Sequence, residues 1–298
     1  MPFLLAALVA GLVAAPMPGQ TYDPKKQSPK PLVTSEAKIP TGERFPAAMP
    51  TFSGKFSHVT VDKNFDHDHP DKVTEVKMYI PWDTADTTKQ VKLKIGQPEP
   101  NGTPKEVTYR VLQIHMHRHG EHTMDGHEYQ LEMHCVLTDP RGDENGKPPP
   151  ITAALGFLIV QGEQNKALDF YFEYLTSPIG KVDFTKPPLE NVQQDLNLLL
   201  PHDKTYFSYH GSLTSPSVGD TPLNQTPVLW YVLRNEIHVS GEQYNKYFHA
   251  VEEHVRIPQL NNDSDVWLII PQPLGEPEQA TRFFSAPAPA SPDVVGRR

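Results

Sequence analysis

His115, His117 and His134 are the residues whose types and spacing could do chemistry together in this chain. Successive side chains of a β-strand point to opposite faces. Read as a strand, residues 109–119 put Leu112, Ile114 and Met116 on one face and Gln113, His115, His117 and His119 on the other. Residues 129–137 divide in the same way, with Leu131, Met133, Cys135 and Leu137 on one face and Glu132, His134 and Val136 on the other. The connection over 120–128 is short enough for a hairpin-like return. Paired side by side, the two strands would gather three imidazoles at one point and keep an apolar face for a core.

Three neutral imidazoles with a fourth position left open are the recurring form of a catalytic zinc site. A metal-bound histidine usually donates its other N–H to an acceptor. Gln113 and Glu132 each stand two residues before a candidate ligand, on the same face, and suit that role. The neighbouring His119, His122 and His127 equally fit an exposed metal-trapping loop, and a His-x-His pair also arises on exposed strands with no metal. By themselves these residues leave both readings open. Cys135 points away from the imidazoles and reads as a buried apolar residue.

The elements that must position these groups are mostly strands. Segments 57–61, 73–80, 90–95, 107–119, 128–137, 153–161, 227–233 and 266–270 are rich in Val, Ile, Leu, Tyr and Phe and are bounded by Gly, Pro, Asp and Asn, a strand signature. Helical pattern is confined to 165–174 and to 241–253, the second opening after an N-cap-like Ser240. A Pro-, Lys-, Ser- and Thr-containing stretch over 20–50 reads as an extended lead-in, 51–284 as the folded body, and the Ala- and Pro-rich 285–298 as a disordered tail.

The 298 residues carry a formal net charge of −9 and no cluster of Lys and Arg. That argues against nucleic acid or anionic membrane as a partner, since both select clustered positive charge. Residues 3–15 form the one long apolar run; it is too short to span a bilayer comfortably and ends in small residues before Pro16. It reads as a secretory signal peptide over 1–19, which predicts a secreted or extracytoplasmic protein, with an uncleaved anchor as the alternative because no Lys or Arg precedes the run. With Cys135 as the single cysteine, no internal disulfide can form, so stability must come from a large core. Asn101-Gly102-Thr103, Asn224-Gln225-Thr226 and Asn262-Asp263-Ser264 fit the glycosylation acceptor pattern.

Gln113-Ile114-His115-Met116-His117, then Gly120-Glu121-His122-Thr123-Met124-Asp125-Gly126, then Glu132-Met133-His134 strongly resemble the core motifs of the α-class carbonic anhydrases, Q-x-H-x-H, G-x-E-H-x-x-(D/N)-G and E-x-H. A second block follows in the family's order: Leu199-Leu200-Pro201, Tyr209-His210-Gly211-Ser212-Leu213-Thr214-Ser215-Pro216, and Val228-Leu229-Trp230. Val239-Ser240-Gly241-Glu242-Gln243, Pro271-Gln272-Pro273-Leu274 and the early Gln27-Ser28-Pro29 extend the likeness, which is good over roughly 105–275.

The resemblance implies a single α+β, strand-rich domain on a large twisted, mainly antiparallel central sheet with short peripheral helices. It implies a zinc ion held by His115, His117 and His134, and reversible hydration of carbon dioxide to bicarbonate and a proton. Thr214 would accept a hydrogen bond from zinc-bound hydroxide and pass its own proton to Glu121. Val136, Ala154, Leu213, Val228 and Trp230, with Ser215 nearby, would line the pocket for carbon dioxide, a small apolar substrate suited to a dry wall. Ala154 replaces the family's usual Val. His122 resembles a buried structural histidine of the family. Several family features are absent: the aromatic opening block, the N-x-G-H block that carries a proton-shuttling histidine, and the Trp after the second ligand, which is Arg118 here. Trp267 and Ile269 stand where the late N-x-R is expected, and an insertion follows Thr214. His58, His67 and His69 are near the missing shuttle in sequence only. A metal-binding cupin barrel would need a later P-x-G-x-x-H segment, which the chain lacks. The remaining alternative is a carbonic-anhydrase-like binding or structural protein with weak or no activity.

Overall fold

Alternating apolar residues draw the chain into strands that bury one face each. A computed structural model describes residues 23–40, 45, 49–82, 90–100, 103–140, 150–184, 194–214, 226–260 and 262–271. Among them are twelve strands and two α-helices: β1 (Thr51–Ser53), β2 (His58–Phe65), β3 (Val73–Tyr79), β4 (Lys92–Pro98), β5 (Pro104–Arg118), β6 (Leu131–Thr138), β7 (Ile151–Gln161), α1 (Asp169–Tyr174), β8 (Gly180–Asp183), β9 (Tyr206–Ser212), β10 (Pro227–Leu233), β11 (Ile237–Val239), α2 (Gly241–Ala250) and β12 (Val266–Ile269). All twelve strands join one sheet. Its main path runs β12-β9-β10-β7-β6-β5-β3-β2-β8, with β4 on β5, β1 on β4 and β11 on β7. Only the two pairings of β7 with β10 and with β11 are parallel. The expected α+β, strand-rich architecture is the observed one. The signal-peptide segment, Ser215 and the Ala/Pro-rich tail lie outside the described residues. Among those described, no helix is long and apolar enough to cross a membrane.

The principal core lies on the Ile114, Met116, Met133 and Cys135 side of the sheet, where α1 and α2 supply Phe170, Tyr171, Phe172 and Tyr247. α2 begins with a full capping box, Ser240 accepting from the Gln243 backbone and Gln243 accepting from that of Ser240. Such reciprocal bonds satisfy two of the donors that a helix start leaves free. Each helix then pins a central strand: Tyr171 donates to the Val76 carbonyl of β3 at 2.7 Å, and Tyr247 to the Met116 carbonyl of β5.

One expected face assignment is corrected. The β5–β6 register shifts between Val111 and Gln113, a bulge that reverses alternation. Tyr109 and Val111 share the core face with Ile114 and Met116, whereas Leu112, though buried, belongs to neither apolar cluster. The lead-in is also more than a tether. Leu32 is fully buried in a second apolar cluster, and its amide donates to the Thr123 carbonyl. Ser28 is fully buried and accepts from the Ser212 amide at 3.1 Å. Gly211 makes this docking possible, because a Cβ there would lie 1.9 Å from the Ser28 hydroxyl. Asn262 is buried with its amide donating to the Gln27 carbonyl at 2.6 Å, which removes that acceptor triplet as a glycosylation site.

Candidate metal centre

The sheet register lays out the site as rows across neighbouring strands. One row runs Lys77–His115–His134–Gly156–Val232 from β3 to β10. The next runs Tyr79–Gln113–Val136–Ala154–Trp230. On the other side His117 pairs with Glu132, and Glu132 with Leu158. The two histidine strands therefore bring His115 directly opposite His134, with His117 two residues along on the same face.

The three imidazoles are buried and converge. Nε2 of His115 lies 3.1 Å from Nε2 of His117 and 3.3 Å from Nδ1 of His134. Two ligands bonded at about 2.0–2.1 Å to a tetrahedral ion stand about 3.3–3.4 Å apart, so this spacing suits a shared metal ion. The remaining ring nitrogens each meet an acceptor. His115 Nδ1 is 2.9 Å from Gln113 Oε1, His134 Nε2 is 2.9 Å from Glu132 Oε1, and His117 Nδ1 is 3.4 Å from the His254 carbonyl. With those nitrogens donating, each ring turns a lone pair to the common centre. Burial holds the His115 pKa well below the ordinary histidine range, so this ring is neutral and able to ligate.

Glu132 organises more than one ring. It also accepts from the His122 amide at 2.8 Å and sits 2.7 Å from His122 Nδ1, while His122 Nε2 meets the Tyr209 hydroxyl at 2.7 Å. Burial alone would raise the Glu132 pKa, but His122 and His134 outweigh it and hold the carboxyl well below its usual range. Gly156 leaves space for this carboxylate, since a Cβ would come within 3.0 Å of Glu132 Oε1.

Glu121 and Thr214 are both buried. The expected hydrogen bond between them is not formed. Glu121 Oε1 accepts from the Arg256 amide at 2.9 Å, and Oε2 has no hydrogen-bond partner among the described residues, lying 3.7 Å from His117 Nε2. The late contacts to the site thus come from His254 and Arg256, not from the region of Trp267 and Ile269. Trp267 instead lies on β12, paired with Ser208, and carries Lys38 over its ring. The backbone carbonyl of His254 and the backbone amide of Arg256 make these contacts, so no side-chain type marked them. Arg118 helps to fix this segment: its guanidinium lies 3.5 Å from the centre of the Phe248 ring and donates to the Phe248 and Val251 carbonyls at the end of α2.

Ala154, Leu213, Val228 and Trp230 fall into one buried apolar cluster, distinct from the principal core, and buried Val136 is the register partner of Ala154. Trp230 donates to the Ser212 carbonyl at 2.8 Å, and its ring centre lies 4.8 Å from that of His134. The apolar wall therefore borders the imidazoles directly. His58 stands on β2 opposite Asp183, while His67 and His69 meet Asp68 and Asp66 in the β2–β3 turn; none of the three contacts the imidazole triad.

On the opposite flank the structure adds residues that sequence reasoning did not single out. Glu75 is buried and places Oε1 3.3 Å from His115 Nε2. Its Oε2 accepts from Lys77 Nζ at 2.9 Å and from Asn64 Nδ2 at 2.5 Å. The alternation of β3 carried a signal, because Glu75 and Lys77 share the face opposite Val76 and Met78. Two charges on one strand face ordinarily read as a solvated surface.

The family model described as eukaryotic-type carbonic anhydrase matches residues 56–263. The match ends before Trp267, consistent with the late contacts arising from His254 and Arg256. The chain is 34% identical over 164 residues to carbonic anhydrase 1 of Monodelphis domestica, covering 52% of this chain and 59% of that protein. It is 28% identical over 155 residues to a carbonic anhydrase of Nostoc sp., covering 52% of each. The aligned region thus spans between half and three-fifths of these relatives' lengths. In fold, the chain resembles the α-carbonic anhydrase of Thermovibrio ammonificans, solved in complex with the inhibitor sulfanilamide, with a TM-score of 0.55 and 22% identity over 82% of this chain and 87% of that one.

Proposed function

Because the chain belongs to the eukaryotic-type carbonic anhydrase family, we propose that it hydrates carbon dioxide reversibly to bicarbonate and a proton at a zinc ion held by His115, His117 and His134. The observation that carries this reading is the convergence of three buried ring nitrogens whose opposite nitrogens all meet acceptors. A zinc ion in such a site supplies a nucleophile at neutral pH by bringing the pKa of its water to about 7, a value established for carbonic anhydrases themselves.

The chain's own residues do the rest. Gln113, Glu132 and the His254 carbonyl fix the ring orientations, so the ligand set is organised before an ion arrives. Val136, Ala154, Leu213, Val228 and Trp230 exclude water beside the imidazoles and offer carbon dioxide a surface that asks for no hydrogen bonds. Glu121 is held by the Arg256 amide, and its second oxygen has no hydrogen-bond partner among the described residues. That oxygen would be the acceptor for the Thr214 hydroxyl, leaving the hydroxyl oxygen of Thr214 to orient solvent at the site. Export across a membrane is a further part of the proposal and rests on the apolar run at 3–15; N-terminal sequencing of the exported protein tests it.

Metal analysis and stopped-flow hydration of the full chain, beside His134→Ala, test the central reading. One zinc per chain and measurable hydration are expected in the wild type, with both lost in His134→Ala. A wild type without stoichiometric zinc, or one no faster than His134→Ala, overturns the proposal. Zinc without hydration would favour the binding-protein alternative.

A further inference from the structure

Two rows away from the imidazoles, the register aligns Lys92 of β4, Arg110 of β5, Thr138 of β6 and Ile151 of β7. Tyr109 and Val111 face the principal core, so Arg110 between them lies on the face that carries the imidazoles. Thr138 follows Val136 of the apolar wall on that face. Thr152 is the residue that the β6–β7 register shift leaves over beside Thr138. Just past the end of β3, Trp82 meets both cations: the Arg110 guanidinium lies 4.6 Å and Lys92 Nζ 5.8 Å from its ring centre.

This row gathers positive charge and donors without gathering acceptors. Neither Arg110 nor Lys92 has an ion pair among the described residues. Arg110 Nε is buried without a hydrogen-bond partner among them, and so are the hydroxyls of the buried Thr138 and Thr152. The nearby carboxylates are engaged elsewhere. Glu106 bonds Lys94 at 2.9 Å, and Asp139 acts on the Tyr109 hydroxyl, whose pKa is raised first by burial and then by that charge. Burial brings the Arg110 pKa down to about 10, with no carboxylate to offset it, so the guanidinium is still charged at neutral pH. Neighbouring like charges and buried donors without acceptors are both unfavourable. An anion among them offsets both. With an aromatic ring over its face, the guanidinium keeps its in-plane N–H edge as the bonding direction.

We propose that Arg110, Lys92 and Thr138, with Thr152 beside them, bind a small planar oxyanion of the bicarbonate or carboxylate class. The guanidinium edge offers two parallel N–H bonds to two oxygens of such an anion. Lys92 adds charge without a fixed direction, and the Thr138 hydroxyl donates to a third oxygen where the anion has one. The row of Gln113 and Val136 separates this position from His115 and His134. The site therefore stands apart from the metal reading. With both in place, the product anion has a second point of attachment beside the apolar wall.

Trp82 supplies the readout. Fluorescence titration of the full-length wild type with sodium bicarbonate and with sodium formate, at constant pH and ionic strength, is expected to give a saturable change. Carbon-13 NMR of the same labelled anions measures binding independently. Arg110→Met should weaken binding by about 10–100-fold, the scale of a lost charge-assisted hydrogen bond, and Thr138→Val by about 2–10-fold. Trp82→Phe should lose the fluorescence change and keep the binding seen by NMR. Arg110→Met and Thr138→Val each remove a donor that has no partner, so both variants should fold. His134→Ala, which on the metal reading lacks its ion, should bind the anion as the wild type does. Bicarbonate binding tighter than formate assigns a three-oxygen ligand, the product of the proposed reaction; equal binding assigns a carboxylate. Absence of saturable binding in the wild type overturns the site. Binding that Arg110→Met leaves intact, or that His134→Ala abolishes, overturns it equally. A wild type that binds the anion but no zinc upholds this site and overturns the metal reading alone.

Discussion

The two flanks of strand β5 meet the same imidazoles with opposite chemistry. Toward β6, β7 and β10 the neighbours are Val136, Ala154, Val228 and Trp230, an apolar wall that excludes water. Toward β3 and β2 they are the buried Glu75 with the half-buried Lys77 and Asn64, a charged group. The first wall suits an uncharged substrate and does nothing for a cation. The second offers carbon dioxide no such surface, and places a carboxylate 3.3 Å from His115. On the proposed function the two walls would act on different steps, and variants in each wall should move different readouts.

The largest effect is expected on the charged wall. Lys77→Met leaves the Glu75 carboxylate buried without its counter-ion, and breaking such a pair typically costs about 3–5 kcal/mol. Denaturant titration of the metal-free protein measures this, and added zinc should recover part of the loss. A loss that zinc does not reduce would show that the charged wall is independent of the ion.

On the apolar wall, Val136→Phe should reduce hydration by about 100-fold, the scale of loss when a reacting partner is misplaced by about an ångström. Its zinc content should stay unchanged. Parallel loss of zinc and activity would erase the distinction between the walls. Glu132→Gln lies behind both, bonded to His134 and His122. It should weaken zinc affinity by about 10–100-fold and leave the apolar wall in place, which kcat/KM per bound zinc would report.

The smallest effect serves as a reference far from either wall. Burial would raise the Asp203 pKa, but hydrogen bonds from Thr205 outweigh it and hold the carboxyl below its usual value. A depressed carboxyl stabilises the fold fully above its unfolded pKa, and the contribution is lost as pH falls through the folded one. Asp203→Asn should therefore cost stability at neutral pH and converge on the wild type in acid. Because the group is about half exposed, solvent screening limits the difference to about 1 kcal/mol or less. Urea denaturation at neutral and acid pH checks both sign and size. A larger cost in acid than at neutrality would contradict the assignment.

The histidine face was legible in the sequence because strand alternation is a local rule, whereas the apolar wall was implied by the family resemblance. Ile114, Met116, Met133 and Cys135 against His115, His117 and His134 could be sorted without knowing what lay beside them, and the motif around Gly211 and Trp230 pointed to the same place. Leu112 escaped the rule because a bulge is a two-strand event: it needs β6 to define it. The contacts of His254 and Arg256 escaped because backbone groups look alike in every residue. Their position depends on how Arg118 and α2 set down the chain after Val251.

The sequence by itself determined which three histidines share a face, that Gln113 and Glu132 stand two residues before two of them, and the strand-rich architecture that holds them. Each depends on residue type and short-range spacing. Only the tertiary structure decided that Glu75 is buried beside the histidines with Lys77 half-buried against it, because a strand's polar face has no fixed environment until its neighbours are known. Here β3 lies between β2 and β5 with its charged face turned to the histidines, and the free energy of a buried unpaired oxygen depends on that arrangement.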